Sequence, residues 1–163
     1  MKVMSLTALA ALVLVFSSCN KDLKMEPQAE VPAEQLASVN TNDSFAVKIN
    51  GVNYAAAEYL GTVAPESDQL VINTTSPDGS AVDLILPKDV KPGTYDLQFL
   101  GDYTATYANK NEVSYVASSG KLTILDGDAA SGKIRGVFSF KAEDEAGENT
   151  ANLTDGYFSV KVN

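Results

Sequence analysis

Phe45-Ala46-Val47-Lys48-Ile49-Asn50-Gly51-Val52-Asn53-Tyr54 alternates inward and outward side chains up to an Asn-Gly pair, then resumes. Asn-Gly suits a two-residue type I′ turn, because both central residues of that turn need positive φ. The turn predicts Ile49 opposite Val52, Val47 opposite Tyr54 and Phe45 opposite Ala56. One face of the hairpin is then apolar, as a half-buried antiparallel pair requires.

The same period of two recurs on the C-terminal side. Leu70 and Ile72 precede the turn Ser76-Pro77-Asp78-Gly79, and Val82, Leu84 and Leu86 follow it until Pro87 ends the strand. Lys91-Pro92-Gly93 turns the chain into Thr94–Phe99, with Tyr95, Leu97 and Phe99 expected inward. Val113–Val116 and Lys121–Leu125 read as two strands, and Asp126–Gly132 reads as a loop. Lys133–Lys141 sets Ile134, Gly136, Phe138 and Phe140 on one face. Glu143–Asn149 is an acidic hairpin loop, and Gly156–Val162 closes the series. Eight to ten short strands with no convincing helix predict an all-β, antiparallel β-sandwich over residues 44–163. A lipocalin-like barrel, whose interior holds a ligand, is the alternative.

Upstream of the strands the composition changes. Lys2 precedes a mostly Ala, Leu, Val and Met run from Val3 to Phe16, the length of a signal-peptide core and short of the roughly 20 residues of a bilayer span. The run ends in Phe16-Ser17-Ser18-Cys19, and Cys19 is the only cysteine among 163 residues. This pattern looks like a lipobox. It predicts a lipoprotein signal peptide over 1–18 and lipidation of Cys19, which also removes an unpaired thiol from an oxidising compartment. More than one acyl chain gives a stable membrane anchor. Residues 19–43 carry Pro27, Pro32 and acidic side chains without alternation, so they read as a flexible tether with a reach of roughly 27 Å.

Charge and composition exclude several functions. The net charge is −9, which opposes nucleic acid and flat docking on anionic lipid. No histidine is present, so His-dependent triads, imidazole metal sites and the usual neutral-pH general base are ruled out. No phosphate loop or nucleophile elbow occurs. Carboxylate pairs among Asp83, Asp96, Asp126, Asp128 and Asp155 are the one hydrolytic route left, and nothing in their spacing pairs them.

Several segments in order resemble the short Bacteroidota-type outer-membrane lipoproteins of unknown function that carry one small β-sandwich. They are Phe45–Gly51, Lys91–Tyr95, Gly120–Ile124, Ile134–Phe140 and Leu153–Phe158. The resemblance implies an outer-membrane location and carries over no catalytic residues. Lys21-Asp22 looks like a short charged signal for the cell surface, with the periplasmic face as the other orientation.

Two local patterns are candidate sites. Asp126-Gly127-Asp128 supplies hard oxygen ligands, but it lacks the rest of a calcium loop, and acidic turns between strands are commonly just solvated. No cofactor is therefore expected. Tyr103, Tyr107 and Tyr115 lie in the irregular stretch Leu100–Ser119, and amphipathic rings suit recognition of a glycan, a peptide or a protein. The expected function is a non-enzymatic binding or accessory module tethered to the outer membrane through Cys19. A structural subunit of an envelope complex is the alternative, and a carboxylate hydrolase the third.

Overall fold

A computed structural model describes residues 43–64, 66–128, 130 and 132–163. The expected signal segment 1–18, Cys19 and all of the 19–43 tether but Asp43 lie outside the described residues.

Ten strands follow in order: β1 Ser44–Ile49, β2 Val52–Tyr54, β3 Glu58–Ala64, β4 Gln69–Thr75, β5 Ala81–Pro87, β6 Gly93–Asp96, β7 Thr104–Ala108, β8 Ser114–Asp128, β9 Lys133–Asp144 and β10 Thr150–Lys161. They form one sheet in the order β2-β1-β10-β9-β8-β7-β5-β4-β3, with β6 paired on β8. Among the described residues these strands all pair antiparallel. The all-β antiparallel class is therefore as expected. The packed layers are opposing parts of one curled sheet, a half-barrel, and its edges approach where Gly61 of β3 bridges Val162 beyond β10.

The decisive turn forms as its chemistry dictates. Asn50 and Gly51 take φ of 50° and 81°, and Ile49 pairs with Val52 and Val47 with Tyr54. The ladder stops there. Phe45 and Ala56 do not pair, because the chain beyond Tyr54 leaves β1 for β4, Ala57 N donating to Thr75 O at 2.8 Å; on its other edge β1 sets Phe45 beside Phe158 of β10.

Alternate residues of β4, β5, β9 and β10 supply the core, including Leu70, Ile72, Leu84, Phe138, Leu153 and Phe158, all at most 2 % exposed. Curl comes from two devices. Register shifts interrupt β1–β10, β9–β10 and, twice, β8–β9, and such bulges bend a sheet and raise its twist. Three cross-strand pairs also set a glycine against a phenylalanine: Gly120–Phe140, Gly136–Phe158 and Gly156–Phe138. A Cβ at Gly136 would lie 2.5 Å from Phe158 Cζ, and one at Gly156 2.6 Å from Phe138 Cδ2. The rings lie where side chains would otherwise stand.

Several expected boundaries are corrected. Ser114–Val116, Lys121–Leu125 and the expected loop start Asp126–Asp128 belong to the single strand β8, which leaves Val113 outside it. The final strand begins at Thr150 and absorbs a bulge at Asp155, whose φ is 54°. Phe99 is 63 % exposed instead of inward, because the chain turns at Gln98–Gly101, where Gly101 N donates to Gln98 O.

Candidate functional site

Two turns face each other at one end of the half-barrel. Asn50 is clipped to β10, its backbone N donating to Asn152 O at 2.8 Å and its Oδ1 accepting from Asn152 N at 2.9 Å. In the β4–β5 turn, Ser76 N donates to Ser80 O at 2.8 Å. Asp78 Oδ1 accepts from Ser80 N at 2.9 Å and from Ser80 Oγ at 2.5 Å. These bonds to Ser80 hold the Asp78 carboxyl below its ordinary value. An aspartate accepting from its own turn two residues on is a usual lock on such loops.

Between the turns lies a groove of about 580 Å³, lined by Val52 and Tyr54 on one side, Pro77, Asp78 and Ser80 on the other, and Tyr107 from β7. Tyr54 spans it. Thr74 Oγ1 donates to Val82 O and accepts from Val82 N, so the Tyr54 hydroxyl hydrogen is shared between Ser80 O at 3.2 Å and Thr74 Oγ1 at 3.1 Å. Burial pushes the Tyr54 phenol up, as do the charges of Asp78 and Asp83. Burial also raises Tyr107, helped by Tyr115 and Asp78.

The three expected tyrosines do not form one platform. Tyr107 and Tyr115 are cross-strand partners stacked at 5.5 Å, so Tyr115 backs Tyr107 while Tyr107 lines the groove. Tyr103 instead stacks on Tyr95 at 4.1 Å. Its phenol is pushed up to about 12 by burial and by Tyr95. Tyr54 was missed as a site residue because its position in the hairpin reads as core. The available signal was its hydroxyl, which needs a partner when the ring is covered.

The carboxylates are separately engaged. Asp126 receives Arg135 Nε at 2.7 Å and also Arg135 Nη2, a fork that occupies the oxygens a metal would need. The backbone of Asp128 lies opposite that of Lys133 at the end of the β8–β9 ladder. Asp96 meets Lys121 at 2.5 Å and Asp155 meets Lys48 at 2.8 Å. Asp83 accepts from Asn73 Nδ2 at 3.1 Å and Thr106 Oγ1 at 3.5 Å, and burial pushes it up. In the acidic hairpin, Asp144 accepts from Glu148 N, Asn149 N and Asn149 Nδ2 at 2.9, 3.2 and 2.6 Å, so it serves as a loop cap. Among the described residues no group of three or more Asp, Glu, His or Cys could hold a metal.

A second groove of about 580 Å³ lies between Phe99, Val116 and the Glu143–Gly147 segment. Its neighbour Leu100 is 87 % exposed with φ of 58°.

No curated protein and no solved structure matches the chain. A family model described as a domain of unknown function, DUF6252, matches residues 41–161, a span that includes all ten strands, and the chain belongs to that family.

Proposed function

We propose that this chain is a non-catalytic binding module of the Bacteroidota-type outer-membrane lipoproteins, held by acyl chains on Cys19, with its ligand in the groove between Tyr54, Asp78 and Tyr107. The groove carries the reading. It is concave, and its polar groups are fixed in advance by Ser80, Thr74 and Asn152. Groups held before binding lose less freedom when a ligand arrives. The separate engagement of Asp96, Asp126 and Asp155 by cations supports a role without acid–base chemistry. The anchor rests on the Phe16–Cys19 lipobox and the acidic tether.

Two experiments test it. Acyl-probe labelling of wild type against Cys19→Ala tests the anchor, and an unlabelled wild-type protein removes the envelope placement. Glycan-array and pull-down screens with wild type and Tyr107→Ser test the module; a partner retained equally by both moves the site elsewhere.

A second reading is an assembly subunit of an envelope complex. Exposed Phe99 and Leu100 favour it, since large apolar side chains side by side at a turn tip suit a protein contact. Loss of a native complex from Phe99→Ser/Leu100→Gly envelopes is the result expected of that reading.

A further inference from the structure

We infer that the groove takes the guanidinium of an arginine presented by a basic partner polypeptide, with Asp78 as counter-charge, Tyr54 and Tyr107 as ring walls, and Val52 and Pro77 against the aliphatic stem. This deepens the binding reading above and rests on it.

Charge is the first argument. Asp78 is the charged side chain among the groove's lining residues, and the whole chain carries −9. Lys110 also bears on Asp78, but as the last of the causes acting on that carboxyl. A phosphate or carboxylate ligand would meet no lining cation, whereas a cation meets a carboxylate already ionised and fixed by its turn.

Ring chemistry is the second. A cation over a tyrosine face gains electrostatic attraction, and arginine combines this with planar stacking. The negative charge of Asp78 reaches both phenols and hinders their ionisation. The same field favours a positive group placed between them and the carboxylate.

Shape is the third. Val52 is 70 % exposed and Pro77 is exposed beside it. A long side chain lays its methylenes on such surface while its head reaches the charge. Guanidinium is favoured over ammonium because it is more weakly hydrated and forks onto carboxylate oxygens. Tyrosine packing also fixes the walls: Tyr107 is backed by Tyr115, and Tyr54 is tied to Thr74 and Ser80.

The test titrates the full-length purified protein with acetyl-Gly-Ser-Arg-Ser-Gly-amide and with its lysine and citrulline counterparts. Maltotriose and cellotriose serve as neutral hydroxyl-rich probes. Tyrosine fluorescence reports occupancy, since the chain has no tryptophan. The arginine peptide is expected to saturate and to weaken as salt rises. The citrulline peptide, isosteric but neutral, is expected to bind at least about tenfold more weakly. Asp78→Asn, which keeps an oxygen for Ser80, and Val52→Ser, a surface change, are both expected to weaken the arginine peptide. Equal binding of arginine and citrulline peptides overturns the inference, as does an unchanged affinity in Asp78→Asn. Trisaccharide binding lost in Tyr107→Ser, with no peptide binding, overturns the guanidinium assignment and keeps the groove as a ligand site. No binding by any probe at millimolar concentration overturns the inference; the groove itself is then judged by the Tyr107→Ser screens above.

Discussion

Replacing Gly136 by alanine tests the account of the curl most directly. The new methyl would stand 2.5 Å from Phe158 Cζ, 2.7 Å from Phe158 Cε1 and 2.8 Å from Thr123 O. Phe158 is fully buried, and Thr123 O belongs to the paired backbone of β8, so neither neighbour can step aside freely. Overpacking of this kind costs about 1–3 kcal/mol. Gly136 is not among the glycines at positive φ, so alanine recovers roughly 0.4–1 kcal/mol by restricting the unfolded chain. With two rigid neighbours on opposite sides, the steric cost falls at the upper end, leaving a net loss of about 2 kcal/mol. Urea unfolding reads this as a lower midpoint at unchanged slope, and thermal melting as a fall of roughly 8 °C. The partner change Phe158→Leu withdraws the ring atoms that block the methyl. In that background the cost of Gly136→Ala is expected to shrink to about 1 kcal/mol, the share due to Thr123 O, giving a coupling of about 1 kcal/mol. A Gly136→Ala protein within 0.5 kcal/mol of wild type would refute the reasoning. So would an identical cost in both backgrounds, which would mean that the ring is not what occupies the space.

Three other outcomes follow from particular groups. Tyr54→Phe leaves Ser80 O without its phenol partner while Thr74 keeps its bonds to Val82, so a loss of about 1 kcal/mol is expected in urea melts; no loss would mean the hydroxyl bonds water equally well. Burial raises Asp83 in the fold, so the native state holds that proton more tightly and stability declines as pH rises through the folded value. Asp83→Asn should therefore gain on wild type between pH 3.5 and pH 7 in midpoint comparisons, and a constant difference counts against it. Tyr103 is pushed up to about 12, so its contribution is intact below about pH 10 and lost as pH rises toward 12. Ultraviolet titration of Tyr103→Phe should lack the latest phenol, and retention of that step assigns it to another ring.

The legible parts of the fold are those where local chemistry repeats without interruption. Asn50-Gly51 gave its hairpin because positive φ at both positions is a local requirement. β4 and β5 alternate cleanly and are legible in phase, and so is β9 except at Val137, which is buried alongside Gly136 and Phe138. β3 was not read, and Gly61 shows why. It sits between Tyr59 and Val63 where a side chain would mark the inner face, but a Cβ there would lie 3.0 Å from Lys161 O. Close approach of the C-terminal backbone erases the pattern that would reveal the strand. β8 looked like two strands because its register shifts between Ala117 and Ser119 and again between Ile124 and Asp126. Each shift moves the apolar phase by one residue. Phe45 opposite Ala56 is the extension the hairpin suggests locally, but the departure of the chain after Tyr54 toward Thr75 depends on a tertiary contact that alternation does not encode. The site was half legible. Tyr107 was found, but the stacks Tyr103–Tyr95 and Tyr107–Tyr115 depend on strand pairing that period two does not encode.

Curl and groove are one property of this sheet. In strand order β1 and β2 lie at one edge and β4 and β5 near the other, so in a flat sheet the Asn50-Gly51 and Ser76–Ser80 turns would be far apart. They line one groove because the bulged, glycine-paired middle strands bring the edges round. Tyr54 marks the meeting, its hydroxyl reaching from β2 to Thr74 of β4 and to Ser80. The β2–β3 link follows the same path, with Ala57 N donating to Thr75 O at 2.8 Å. A flattening of β8–β10 would therefore part the Tyr54 bonds and widen the groove before it exposed Leu84 or Phe138 at the centre. Binding must then work in the opposite sense. A ligand that touches both turns favours the curled state, and at a hundred times its dissociation constant it adds about 2.7 kcal/mol of stability. That exceeds the roughly 2 kcal/mol that Gly136→Ala removes, so a saturating groove ligand should restore the melting temperature of that variant, and a variant left at its unliganded melting temperature under saturation would sink the coupling of groove to curl.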